Sequence, residues 1–220
     1  MKKILLLTVS VIISVVTLFA QSARFGVNGG FTFANMIYKE GKEKENSTSK
    51  LGLSLGFITD IPIGSNFSFQ PGVNFVEKGA ELKETEGTFT FQASSRMYYI
   101  ETPFNVIYKI HLKKDHLFFG AGPSAAYAFK GKTKYKYSNG TETESGEERI
   151  KIGNKDDDEL KPFELALNII GGYEFSNGLQ LAANYNRSLN NLLPGDNENS
   201  SLRNSYFGIK IGYMFGRKNK

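Results

Sequence analysis

This sequence predicts an all-β fold: an eight-stranded antiparallel up-and-down transmembrane β-barrel with short periplasmic turns and long extracellular loops. Three observations carry the prediction. Dyad alternation of apolar and polar residues recurs in eight segments. The connections between those segments alternate long and short. An apolar leader precedes them all.

The leader comes first. Met1, Lys2 and Lys3 form a basic start, Ile4 to Phe19 are almost wholly apolar, and Ala20 or Ala23 offers a small residue for cleavage. Residues 1–20 therefore read as a secretory signal peptide, and the run is short for an uncleaved anchor. Residues 21–220 then form one barrel domain. Without Lys2 and Lys3 the chain carries 25 basic and 22 acidic residues, a net charge of +3 that is too weak and scattered to point to nucleic acid. There is no cysteine, so an exported domain of this size must be held by backbone pairing or lipid burial instead of disulfides.

The eight strands are expected near 24–35, 51–61, 66–78, 97–110, 116–130, 162–175, 178–189 and 203–215. Each reaches or exceeds the roughly 9–11 residues that cross a bilayer at a tilt. The first sets Phe25, Val27, Phe31 and Phe33 against Gly26, Asn28, Gly30 and Thr32. The third sets Phe67, Phe69, Val73 and Phe75 against Ser68, Gln70, Gly72 and Asn74. In the fourth, Tyr98, Ile100, Phe104, Val106 and Ile110 oppose Glu101, Asn105 and Lys109. The sixth opposes Phe163, Leu165, Leu167 and Ile169 to Glu164, Asn168, Gly172 and Glu174. The seventh opposes Leu179, Leu181, Ala183 and Tyr185 to Gln180, Asn184 and Asn186. The last opposes Phe207, Ile209, Ile211, Tyr213 and Phe215 to Tyr206, Gly208, Lys210, Gly212 and Met214.

The connections sort by side. Residues 36–50, 79–96, 131–161 and 190–202 are long, whereas "PIGSN", "HLKKD" and "SN" are short. A soluble lipocalin-type barrel also has eight strands, but nothing requires its loops to sort in this way. Burying the carboxylates and amides of the mixed face against hydrocarbon would be very costly. The uniformly apolar face therefore points out into lipid. The polar face lines a narrow lumen, where Glu101, Lys109, Glu164 and Lys210 are expected to form a charge cluster, with Lys78 also in reach. Closure pairs every backbone N–H and C=O, as the bilayer demands. Tyr98, Tyr108, Tyr127, Tyr173, Tyr185, Tyr206 and Tyr213 suit interfacial girdles. Pro71, Pro103 and Pro123 fall inside strands, where bulges or missing ladder bonds are expected.

Little in the chain points to catalysis. His111 and His116 flank the short turn "LKKD", on the periplasmic side, so they read as surface residues and not as the base of a hydrolase acting on outer-leaflet lipid. Two histidines without cysteine do not make a transition-metal site. "KDDDEL" (155–160) lacks the ligand spacing of a calcium loop and reads as a solvated acidic run. "GAGP" (120–123) is no phosphate loop, so no cofactor is expected. Residues 131–161 hold seven basic and eight acidic residues and read as a solvated loop. Within it, "SNG" between two alternating arms suggests a protruding hairpin whose edge would take a protein partner by strand addition.

"YYIETPFNVIYKI" (98–110), "FFGAGPSAAYAF" (118–129), "GGYEFSNGLQLAANYNRSLNNL" (171–192) and "SYFGIKIGYMF" (205–215) together resemble the PorT-like outer-membrane β-barrels of Gram-negative bacteria. The resemblance runs from about residue 24 to 215. It implies an eight-stranded barrel in the cell outer membrane, surrounded by lipid and inserted by the barrel assembly machinery. The tail "GRKNK" departs from barrels that end on the aromatic residue itself, the signal that machinery reads. The resemblance implies little about activity, although its founding member is linked to protein secretion. The reading is a non-catalytic barrel with a structural or surface-interaction role. The alternatives are a secretion-apparatus component, a lipid-modifying enzyme and a soluble carrier.

Overall fold

The computed structural model describes residues 23–195 and 199–216; the expected signal peptide, residues 1–20, and the tail beyond Gly216 lie outside them. Ten strands form one antiparallel sheet. They are β1 (Arg24–Glu40), β2 (Glu43–Asn46), β3 (Thr48–Pro62), β4 (Phe67–Glu86), β5 (Phe89–Leu112), β6 (Asp115–Ser138), β7 (Thr143–Arg149), β8 (Phe163–Glu174), β9 (Leu179–Ser188) and β10 (Ser200–Phe215). Eight of them make the wall, in the order β10-β9-β8-β6-β5-β4-β3-β1. β10 then pairs with β1 from Phe25↔Phe215 to Glu40↔Ser200, which closes the cylinder and leaves no open edge in the wall. Both ends of the described chain lie at the end that carries the short turns 63–66, 113–114 and 175–178.

The polarity is that of a barrel in lipid. Phe207, Ile209 and Ile211 are 44, 53 and 55% exposed, whereas Glu101 and Glu164 are 1 and 0% exposed. Rings cluster in two bands on the outer wall. Phe75, Tyr98 and Phe129 stand with centroids 5.9 and 6.4 Å from Tyr98. Toward the other end, Phe67–Tyr108, Tyr173–Phe175 and Tyr213–Phe215 pack at 5.0, 4.9 and 5.0 Å. Tyr98 and Tyr108 are ten residues apart on β5. At a rise of ~3.3 Å and a tilt of ~40° that separation is roughly 25 Å, the height of the apolar band of such barrels. Tyr206 does not belong to a girdle: it is buried in the lumen, because its even position on β10 points inward.

Two expectations need correction. The connections 36–50 and 79–96 are mostly strand. β4 and β5 run on together until a turn at 87–88, where Gly87 adopts φ +59°. The alternation Thr88-Phe89-Thr90-Phe91 next to that glycine carried the signal. Residues 131–161 are not simply a solvated loop either, since β6 continues to Ser138 and β7 folds back along it from Ser138↔Thr143 to Lys132↔Arg149. β4, β5, β6 and β7 thus make a sheet that projects beyond the barrel.

The prolines interrupt the ladder without bulging it. The β3–β4 pairing skips from Ile58↔Gly72 to Ile61↔Phe69 around Pro71, in constant register. The β4–β5 pairing skips from Pro71↔Phe104 to Asn74↔Glu101 around Pro103, and β5–β6 from Pro103↔Ser124 to Val106↔Ala121 around Pro123. Each proline lacks an N–H to donate, so pairs are lost and the strand runs straight on. The bulge in this region lies instead at Tyr98/Tyr99 in the β5–β6 pairing.

Candidate functional site

The lumen is filled by two charge networks separated by amides. In the upper one, nearer the projecting sheet, Lys78 on β4 is the hub. Its ammonium lies 2.9 Å from Glu101 Oε2 and donates to Glu164 Oε1 at 3.0 Å, with all three side chains at most 2% exposed. Tyr206 donates to Glu101 Oε1 at 2.6 Å, and Asn204 donates to Glu164 Oε2 at 2.9 Å and to the Tyr99 hydroxyl at 3.0 Å. The ammonium also stands 4.7 Å and 5.2 Å from the ring centroids of Tyr99 and Tyr206, a cation–π contact on two sides. β4 and β5 are thereby tied across the lumen to β8 and β10.

The lower network lies toward the terminal end. Arg24 grips Glu174 with both guanidinium nitrogens, at 2.6 and 3.0 Å, and donates to Asp60 at 2.9 Å. Lys109 reaches the same Asp60 oxygen at 2.6 Å, and Gln180 donates to Glu174 at 3.0 Å. A bidentate guanidinium–carboxylate pair is the strongest geometry available to such charges. Of the four residues expected to cluster, Glu101 and Glu164 therefore meet through Lys78. Lys210 lines the same cavity as Glu101, and Lys109 belongs to the other network. The spacing along each strand shows which residues face inward. It does not show their height relative to other strands, which register alone decides.

Between the networks, Asn184 donates to Asn168 and Asn168 to Asn105, each at 3.0 Å. Asn28 reaches Asn74 at 3.4 Å across β3, where Gly56 leaves the space that Asn74's amide occupies. A cavity of about 30 Å³ remains at this level, lined by amides and Glu101 together with Ile58, Phe118 and Ile170. That admits only one or two waters.

The far mouth is closed by an apolar cap. Leu160 and Leu192, from the connections after β7 and β9, are 1 and 0% exposed against Met97, Tyr99, Ala126 and Ala128. A backbone bond clamps the two segments together, Lys161 N–H donating to Leu192 C=O at 2.8 Å, and Ala128 N–H on β6 ties the first of them to the wall by donating to Pro162 C=O at 2.7 Å. The acidic run 155–160 shapes this cap: Asp158 accepts from Lys155 N–H and Glu159 from Lys151 N–H, both at 2.8 Å. Neither Leu160 nor Leu192 stands out in the sequence: Leu160 sits alone among polar residues, and Leu192, between Asn191 and Leu193, belongs to a connection with no strand alternation. Leu160→Ala is expected to cost about 2–5 kcal/mol of the cap's local stability. Limited proteolysis should show faster cleavage within 150–162 while the barrel itself stays resistant.

His111 and His116 pair across the turn that joins β5 to β6, with ring centroids 4.5 Å apart. No group of three or more possible metal-ligating side chains occurs among the described residues. The projecting sheet has two unlike faces. Phe91 and Ala93 pair with Tyr137 and Tyr135 on one, and Gln92, Ser94 and Arg96 pair with Lys136, Lys134 and Lys132 on the other. On the second face Glu147 accepts from Lys132 at 3.1 Å, and that hydrogen bond, with the charges of Lys132 and Lys134, holds its carboxyl below the usual carboxylate range.

A family model described as outer membrane protein beta-barrel domain matches residues 19–194. None of the curated proteins matches the chain. Solved structures similar to it include the outer membrane protein OprG from Pseudomonas aeruginosa, at 10% identity and TM-score 0.49, covering 89% of this chain and 97% of that one. Neisserial surface protein A matches at 12% identity and TM-score 0.42, over 87% and 97%. The attachment invasion locus protein Ail of Yersinia pestis matches at 15% identity and TM-score 0.39, over 88% and 99%.

Proposed function

The chain belongs to the outer membrane β-barrel family, and from that membership in the cell outer membrane we propose a non-catalytic protein that acts through its extracellular surface and not through its lumen. The observation that carries this reading is the filled interior. Two ion-pair networks, an amide layer and an apolar cap leave about 30 Å³ in the middle of the cylinder. Among the described residues this filling blocks passage of a solute, so the interior serves stability. The projecting sheet of β4 to β7 is the surface left to meet other molecules.

The free edge of β7 suits strand addition by a protein partner at residues 131–161, since among the described residues β7 pairs only with β6. The same edge is the feature in favour of a second reading, a component of a protein-secretion apparatus of the PorT type. During biogenesis the partner is the barrel assembly machinery. Single-channel recording on the full-length protein in planar bilayers tests the sealed lumen. No steps in conductance are expected, and stable steps at neutral pH would overturn the reading. Deletion of the coding gene separates the two surface roles: loss of cargo export would favour the secretion component.

A further inference from the structure

A groove of about 110 Å³ on the outer face of the projecting sheet is lined by Lys50, Ser94, Arg96, Lys132 and Lys134. Four cations from three strands converge there. Lys50 is paired with Glu81 at 2.9 Å and also reaches the Ser94 hydroxyl. Lys132 and Lys134 share one carboxylate, Glu147, at 3.1 and 3.5 Å. Arg96 makes no ion pair among the described residues. Lys136 and Arg149 stand on the same face, so cations outnumber the carboxylates Glu77, Glu81 and Glu147. Gathering this much like charge is unfavourable unless an anion offsets it.

The height of the groove names the anion's source. Arg96 lies two residues above Tyr98 on the same face of β5, and Tyr98 pairs with Lys130, two residues below Lys132 on β6. Tyr98 packs with Phe75 and Phe129 in the upper aromatic band. Aromatic bands mark the level of the lipid headgroups. Two residues of strand are roughly 7 Å, so the groove opens on the outer wall at headgroup height, directly beside the surrounding leaflet. A planar guanidinium and ammonium groups with a hydroxyl between them are the donor set that recognises a phosphate oxygen cluster.

We propose that the groove formed by Lys50, Ser94, Arg96, Lys132 and Lys134 binds the phosphate group of an outer-leaflet lipid headgroup. The site rests on the outer-membrane placement and not on the sealed lumen, so a conducting barrel would leave it standing. Bound lipid anchors the projecting sheet against the leaflet and fixes its tilt.

The test uses the purified full-length protein in neutral detergent and native mass spectrometry. Its probes are phosphatidic acid, the matching diacylglycerol without phosphate, and soluble glycerol phosphate. Retention of phosphatidic acid, and of neither of the other two, is the expected result. In the R96Q/K134Q variant the retained adduct should fall about tenfold, as expected for the loss of two charge-assisted contacts. The K42Q/K151Q variant removes the same charge elsewhere and should retain lipid as the parent does. Heat-modified gel mobility verifies that each variant is folded. Lys134 is 64% exposed, so K134Q alone folds normally and carries the test if the double variant does not. Unchanged retention in the folded variants overturns the site. Equal retention of glycerol phosphate overturns the lipid as its ligand and leaves a free phosphate ester.

Discussion

Replacing Lys78 by methionine is expected to destabilise the barrel by about 3–5 kcal/mol, the effect of removing one partner from a buried ionic network. Lys78 is the cation that touches both Glu101 and Glu164, and its side chain is 0% exposed. Without it two carboxylates stay buried with only hydroxyl and amide partners, from Tyr206 to Glu101 and from Asn204 to Glu164. Lys210 lines the cavity beside Glu101 but reaches no carboxylate within ion-pair distance among the described residues. Urea unfolding in detergent, followed by far-ultraviolet circular dichroism and by the loss of heat-modified mobility, measures the shift. The triple variant K78M/E101L/E164L is the informative control. Apolar replacement of a complete buried network is often neutral or stabilising, so most of the lost stability should return. A K78M protein as stable as its parent would mean that the lumen is wetter, and its charges more loosely coupled, than these distances state.

The second large effect concerns the opposite wall of the same cylinder. Ile209 lies midway along the membrane part of β10, paired with Phe31 and Ala183 and 53% exposed. Ile209→Arg is expected to cost about 2–4 kcal/mol, the penalty for a cation at the bilayer midplane on a lipid-facing site. The same substitution at Leu112, exposed at the terminal end of β5, should cost about 0–1 kcal/mol, as it does near an interface. In a water-soluble barrel an exposed Ile209 would accept arginine freely. The difference between the two sites, measured by reversible unfolding in vesicles, therefore reads out polarity and depth together.

Much of this molecule was legible from residue order alone. Strand parity depends only on the two-residue repeat of extended backbone. Phe207-Gly208-Ile209-Lys210-Ile211 thus declares its outer and inner faces before any fold is known. Spanning length and the sorting of short and long connections then choose a closed membrane barrel over a soluble one. The inward side of Glu101, Glu164, Lys109 and Lys210 follows from the same repeat.

What parity cannot supply is height. Whether Lys78 or Lys210 meets Glu101, and whether Lys109 sits with Glu101 or with Asp60, depends on the stagger between strands. The β3–β4 and β4–β5 registers place Lys78 near Glu101 and Lys109 near Asp60, and closure of β10 on β1 sets the height at which Tyr206 and Lys210 arrive from the far end of the chain. The apolar cap had no sequence signature for a similar reason. Leu160 and Leu192 acquire meaning only when two connections meet over the mouth and exclude water together. The projecting sheet lies between these cases. Its alternation was visible in "KTKYKYSNGTETESGEERIKIG", but a run of charges that reads as solvated loop becomes a basic groove only when β5 places Arg96 beside Lys132. Local backbone geometry decides which way a side chain points, and long-range register decides what it finds there.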